Sequence, residues 1–303
     1  MIQARHLKKE YKKKYAVNDL SFTVETGKVT GFLGPNGAGK STTMRLMLGL
    51  DAGTGKTTFD DKPLHSYAQP SKVVGILLEA KAFHPTRTAR QHLKILAAAG
   101  NIPMGRVEEV LDIVGLKEVG KKGPGKFSLG MSQRLGIAAA ILGRPKYLML
   151  DEPANGLDPE GIAWLRDFLK AYADEGNAVF VSSHLLSEMS QMADNVVVIG
   201  RGQLIADTSI TELLAQNAHA GVLVRSPKLN QLEKLLHAQK VVLSKSAEGL
   251  LVSGVSSDVI GKLAFEHGVP IYELAPQTAS LEDVFLELTA DAGEYKGKSE
   301  AAK

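Results

Sequence analysis

Gly34, Gly39, Lys40 and Ser41 follow the order G-x-x-x-x-G-K-[S/T] within Val29 to Thr42, VTGFLGPNGAGKST. Gly37 adds a third position without a side chain, so backbone N–H groups can turn inward around an anion. Lys40 supplies a point charge toward β- and γ-phosphates, and the Ser41 hydroxyl is placed to ligate Mg²⁺. Asn36 and Thr42 lie in the same stretch and complete the set assigned to the nucleotide. The apolar run before the loop reads as a strand. Met44, Leu46, Met47 and Leu48, ahead of Gly49, read as a helix whose N-terminal dipole favours phosphate. Gly55-Lys56-Thr57 repeats the ending of the motif, but position 50 is Leu where Gly is required. No strand is expected to enter it, and the expectation there is a turn.

A second group of chemically able residues is Asp151-Glu152-Pro153, at the end of the apolar run Tyr147-Leu-Met-Leu. Two carboxylates closing a strand match the Walker B pattern. The first holds Mg²⁺, directly or through water, and the second accepts a proton from attacking water.

The elements that must position these groups are those of an α/β protein. Ile2 to Leu7 and Ser21 to Val24 read as antiparallel strands, and a further strand is expected near Lys72 to Leu78. From about residue 86 to 140 the pattern becomes a helical insertion, with Val107, Val110, Leu111 and Val114 at i, i+3, i+4 and i+7 before Gly115. Tyr147 to Leu150, a helix around Ile162 to Tyr172, and strands at Ala178 to Val181 and Asn195 to Ile199 then fit a buried, largely parallel sheet.

A small α+β domain is expected over residues 216–290. It has strands at Val222 to Val224, Val241 to Leu243, Leu250 to Val252 and Ile271 to Leu274, and helices around Leu229 to Leu236 and Val259 to Leu263. A last helix is opened by a capping box at Ser280-Leu-Glu-Asp283. The residues from 291 read as a disordered tail.

The 303 residues, 23% charged and 44% hydrophobic, have the composition of a globular protein with one large and one smaller domain. The absence of cysteine excludes disulfides and thiolate metal sites and favours a reducing compartment. The apolar runs fall short of the ~20 residues that span a bilayer, and no signal peptide is expected. The expected location is the cytoplasm. A net charge of +3 gives no reason to expect nucleic acid, and the lysines around Tyr11 read as a solvated face.

With these motifs in place, the chain resembles the ATP-binding cassette (ABC) family over about residues 1–215. Phe127-Ser128-Leu129-Gly130-Met131-Ser132-Gln133-Arg134 resembles that family's signature, normally written LSGGQ, and Asn155-Gly156-Leu157-Asp158 resembles its D-loop. His184 resembles the switch histidine at the γ-phosphate, and Tyr11 stands where the family places an aromatic ring against adenine. Such stacking is worth ~1–3 kcal/mol. Glu79 replaces the Q-loop glutamine, which in the family assists the Mg²⁺, and Leu129 and Met131 replace Gly and Gln of the signature.

The resemblance implies a P-loop NTPase core of the ABC type, with an antiparallel β subdomain and the helical insertion. It further implies ATP and Mg²⁺ as ligands, with Ser41, Asp151 and Glu79 toward the metal, Glu152 as the base and His184 at the γ-phosphate. Each site would be completed by Ser128, Gly130 and Asp158 of a second copy in a homodimer. It points to bacterial exporters of the drug, bacitracin and lantibiotic type, in which a separate integral membrane subunit meets the cassette near Glu79 and the helical insertion. The chain would then sit peripherally at the cytoplasmic face of the cell membrane. Two other readings stay open: a soluble cassette ATPase acting on ribosomes or DNA, and a low-turnover nucleotide-gated switch.

Overall fold

The strands β1 (Ile2–Tyr11) and β2 (Lys14–Val24) alternate between buried and exposed positions, as a sheet with one face in the core requires. β3 (Lys28–Leu33) is buried along nearly its whole length and runs into the phosphate loop, which α1 (Lys40–Met47) follows. β4 (Thr54–Phe59) returns to the first sheet, ordered β2-β1-β4 with antiparallel pairs. The turn expected at Gly55-Lys56-Thr57 is therefore strand, with Thr57 opposite Ala4 and Lys56 opposite Arg5. Gly55 serves that strand, because its φ is +96° and a Cβ would lie 2.4 Å from the His6 carbonyl oxygen.

This computed structural model describes residues 1–84, 86–184, 186–215, 221–237, 241–245, 249–277 and 281–289. The expected capping serine, Ser280, and the tail from 291 lie outside the described residues.

The larger sheet contains β5 (Val74–Leu77), β6 (Tyr147–Leu150), β7 (Ala178–Ser183), β8 (Asn195–Gly200) and β9 (Gln203–Ser209) in the order β5-β6-β7-β3-β8-β9. Its pairs are parallel apart from the antiparallel β8–β9 edge. β6 and β7 are buried at every position, in keeping with a parallel sheet covered on both faces. Leu33 stands opposite Ser183, Leu150 opposite Val181, and Leu77 opposite Leu150. The carboxyl ends of four neighbouring strands are thus brought to one edge, where open α/β sheets bind their ligands. Phe22 of β2, Phe32 of β3 and Phe180 of β7 join the two sheets, their ring centroids 4.9 to 5.7 Å apart.

Between β5 and β6 lie α2 (Ala89–Ala99), α3 (Gly105–Ile113) and α4 (Leu129–Ala140). A capping box of Thr88 and Gln91 starts α2, and Ser128 caps α4. Val107, Val110 and Leu111 of α3 are buried with Val114, as their spacing requires. α5 (Pro159–Asp174) and α6 (Leu186–Met192) flank β7 in sequence, and α7 (Ile210–Ala215) follows β9.

The remaining elements are β10 (Gly221–Arg225), α8 (Leu229–His237), β11 (Val242–Lys245), β12 (Leu250–Ser253), α9 (Ser257–Glu266), β13 (Glu273–Gln277) and α10 (Leu281–Thr289). The antiparallel order β11-β12-β10-β13 makes this a β-α-β-β-α-β unit of the split type. Val222, Val224, Leu232, Leu250, Val252 and Ile260 form its core. The strand expected at Ile271 starts at Glu273. The chain divides into one unit built on Met1–Ile210 and another on Thr211–Glu287, so α7 beyond Ile210 belongs to the second unit.

Because Phe180 fills the junction of the two sheets, Phe180→Ala is expected to destabilise the first unit by about 3–5 kcal/mol. Denaturant unfolding would read this as a lower midpoint for that unit.

Candidate active site

The phosphate loop owes its shape to glycine at two points. Gly37 and Gly39 have φ of +81° and +105°, a region that glycine enters without steric cost. A Cβ on Gly39 would also stand 2.3 Å from the Ala16 carbonyl oxygen. Gly34 is needed for close approach, since its Cβ would lie 2.7 Å from Ile199 O. Asn36 is exposed on the rim and Thr42 is half-buried. Lys40 opens α1 with only 8% of its surface exposed, donating from Nζ to Gly34 O at 2.7 Å and standing 3.7 Å from Glu152 Oε1.

Across the strand ends a continuous set of contacts connects the loop to the two carboxylates. The Ser41 hydroxyl donates to Asp151 Oδ2 and the Ser182 hydroxyl to Asp151 Oδ1, both at 2.5 Å. The Glu152 N–H donates to Ser182 Oγ at 2.8 Å. Glu152 Oε2 meets His184 Nδ1 at 2.7 Å. Glu152 has φ of +49°, a left-handed conformation that a non-glycine residue holds only where its surroundings over-determine it. Ser41 and Asp151 present a hydroxyl and a carboxylate side by side, oxygen donors of the kind that Mg²⁺ takes from proteins alongside phosphates and water.

Glu79 follows the end of β5 and is exposed. Among the described residues it has no hydrogen bond or ion pair with Ser41 or Asp151, so the structure joins two of the three expected metal ligands. Its charge acts on Arg45. That guanidinium is pushed up first by its hydrogen bonds to Asp51 and, to a smaller extent, by the charges of Tyr11 and Glu79.

Tyr11, at the end of β1, is 49% exposed. Its hydroxyl reaches Asp51 Oδ2 at 3.4 Å, and Lys9 Nζ lies 4.7 Å from the ring centroid. The Ser128 hydroxyl accepts from Met131 N at 3.1 Å as the cap of α4, and Asp158 accepts from Gly161 N as the cap of α5. Gly130 packs against the D-loop, since a Cβ there would lie 2.9 Å from Gly156 O and 3.3 Å from Leu157 Cδ2. Ser128, Gly130 and Asp158 thus cluster around one turn, with no bond to Lys40 or Ser41 among the described residues.

Sequence reasoning gave Ser182 no role, and it gave Gln133 none beyond a place in the signature run. Ser182 is fully buried, and the sequence reading closed its strand at Val181. Gln133 Nε2 donates to Glu152 O and Asn155 O. Its signal was a polar residue on the same stripe as Gly130 and Ile137, both of which are buried.

Residues 17–155 match the sequence model of the ABC transporter family, and residues 220–282 match a domain of unknown function. The bacitracin transport ATP-binding protein BcrA of Bacillus licheniformis is 35% identical over 302 residues, covering 95% of this chain and 97% of the relative. The chain belongs to the ABC transporter family. This cassette is an ATP-binding, ATP-hydrolysing subunit of such a transporter. It is also 36% identical to the lantibiotic transport ATP-binding protein SrtF of Streptococcus pyogenes, over 68% of this chain and 90% of that one. Among solved structures, an ATP-binding subunit of an ABC transporter superposes with a TM-score of 0.65 at 25% identity, over 71% of this cassette and 92% of that chain. The dimeric cassette MJ0796, bound to ADP and Pi, shares the fold with a TM-score of 0.63 at 20% identity, over 69% of this cassette and 99% of its own chain.

With Lys40 removed, no other buried cation faces the loop carbonyl and Glu152 among the described contacts. Lys40→Ala is therefore expected to lower ATP turnover by about 10²–10³-fold, as measured by phosphate release at saturating ATP.

Proposed function

We propose that this cassette powers an exporter whose membrane-spanning subunit is a separate polypeptide, and that it works as a homodimer closed by ATP. The observation that carries the reading is the run of contacts from Ser41 through Asp151 and Ser182 to Glu152 and His184 at the edge of the parallel sheet. It supports a reading of Ser41 and Asp151 as a metal-binding pair next to a carboxylate oriented by a histidine, the arrangement needed to deliver water to a phosphoryl group.

The residues divide the work as follows. The glycine loop and Lys40 hold the phosphates, with Asn36 and Thr42 at its edge. Tyr11 offers the ring face away from Lys9 to adenine. Glu152 accepts the proton of the attacking water while His184 fixes the carboxylate and meets the γ-phosphate. Ser41 and Asp151 would hold Mg²⁺, whose charge would offset that developing on the transferred group. Glu79 is proposed to act from the Q-loop position, with Arg45 balancing its charge.

Ser128, Gly130 and Asp158 surround one turn and, among the described residues, make no bond to their own phosphate loop, which supports a site completed by a second copy. ATP then bridges two chains, and hydrolysis removes the bridge. One chain carries both halves of the site, so an isologous dimer closes with two equivalent sites.

Among the described residues no helix is long and apolar enough to cross a membrane, so membrane spans are assigned to the partner. A groove of about 700 Å³ between β5, α2 and α4 is lined by Ile76, Phe83, Leu96 and Ala139, with Glu79 and His92 among its polar groups. An apolar segment of the partner's cytoplasmic side fits it, which would hold the cassette at the inner face of the membrane. The names of the bacitracin and lantibiotic relatives support an antibiotic peptide as the class of cargo and disfavour action on ribosomes or DNA.

Glu152→Gln is expected to cut turnover about 10²–10⁴-fold and to leave an ATP-bound dimer detectable by size-exclusion chromatography with light scattering. Wild-type turnover in that variant would remove Glu152 from the base role. In detergent-solubilised membranes, the cassette is expected to co-purify with a multi-span protein, and Leu96→Asp is expected to release it. Recovery of ribosomal or DNA-associated proteins instead would refute the transporter reading.

A further inference from the structure

Gln133 lies in the second turn of α4, the helix that Ser128 opens, and is 4% exposed. A buried amide is costly unless it is hydrogen-bonded. Its Nε2 donates to two main-chain carbonyls at once, Glu152 O at 3.1 Å and Asn155 O at 3.3 Å. The opposite amide orientation would set Oε1 against both carbonyls, so the bonding pattern determines which end faces the turn. Oε1 is buried without a hydrogen-bond partner, and the side chain therefore acts through donation alone.

Glu152 is the residue that needs this support. Its φ of +49° is a strained conformation for a side chain with a Cβ. Its N–H is held by Ser182 Oγ, and its carbonyl accepts from Asn155 N at 3.2 Å and from Gln133. The carboxylate meets His184 and approaches Lys40. Ser182 thus secures the peptide before Glu152, while Gln133 ties the peptide after it to Asn155 and to α4.

We infer that Gln133 is a positioning residue for hydrolysis. It fastens the Glu152–Asn155 turn to the helix whose first residues, Ser128 and Gly130, complete the other chain's site. Placement of the base in one site then depends on the helix that closes the second. The inference rests on the reading of Glu152 as the general base, and Gln133 acts through the Glu152 main chain without touching nucleotide.

The test is steady-state ATPase kinetics on the full chain, with a double-mutant cycle. Gln133→Met keeps length and approximate volume while removing the donor. It is expected to lower kcat about tenfold or more and to leave the KM for ATP within about twofold. In the Glu152→Gln background the same change is expected to cost nothing further, because both substitutions act on one group. Gln133→Asn, whose amide is one methylene too short, is expected to behave like the methionine variant and carries the test if that variant does not fold. Wild-type kcat in these variants, or a loss that moves KM alone, would overturn the inference. A full additional loss on top of an impaired Glu152→Gln overturns it too, and leaves the base reading standing. Wild-type turnover in Glu152→Gln alone overturns both.

Discussion

The parallel, in-register pairing of β3, β7 and β6 is the constraint on which the rest of the structure depends. Leu33 lies opposite Ser183, and Leu150 lies opposite Val181, so the phosphate loop, His184 and the two carboxylates all leave the sheet at one edge. A slip of one residue would turn every side chain on a strand to the other face. The buried faces of β6 and β7 make that slip expensive, and the aromatic contact of Phe22, Phe32 and Phe180 holds the antiparallel sheet against the same strands. The catalytic geometry is therefore a consequence of core packing, and no loop has to find it unaided.

At that edge the chain accepts local strain. A left-handed non-glycine residue costs of order 1–3 kcal/mol, and Glu152 occupies that conformation. A typical hydrogen bond returns about 0.5–1.5 kcal/mol, and one to a charged group about 1.5–3 kcal/mol. The bonds from Ser182, Gln133 and His184 to the main chain and carboxylate of Glu152 are together enough to hold it. In the proposed reaction, fixing the carboxylate beforehand would remove the need to organise it during the chemical step, which is how an enclosed polar site lowers a barrier.

Much of this was legible in the sequence where chemistry dictates spacing. Phosphate geometry requires Gly34, Gly39, Lys40 and Ser41 at fixed separations, and the strand ending in Asp151-Glu152 is apolar enough to be read directly. The alternation of apolar segments likewise placed β6, β7 and β8. What escaped were features without periodic signal. β4 and β9 have largely exposed or half-buried residues, so part of β4 was expected to be a turn and β9 was not expected as a strand. Ser182 escaped because a serine at a strand end is ordinary, and its importance comes from Asp151, which is 31 residues away in the chain. Glu79 was grouped with the metal ligands by its place in the motif order, and it lines the groove beside β5.

The same arrangement supports the proposed division of each site between two copies. Ser128 and Gly130 gather with the D-loop around Gly156 and Leu157, while Lys40 and Ser41 engage Gly34, Glu152 and Asp151. A site shared between two copies is the account's central claim, and subunit complementation tests it most directly. Lys40→Ala chains lack a working phosphate loop and keep the signature. Gly130→Asp chains keep the loop, but the new side chain meets Gly156 O. Each should be nearly inactive alone, and ATP turnover of the mixed chains should rise well above either, because heterodimers regain one intact site. A mixture no more active than its components would contradict the account.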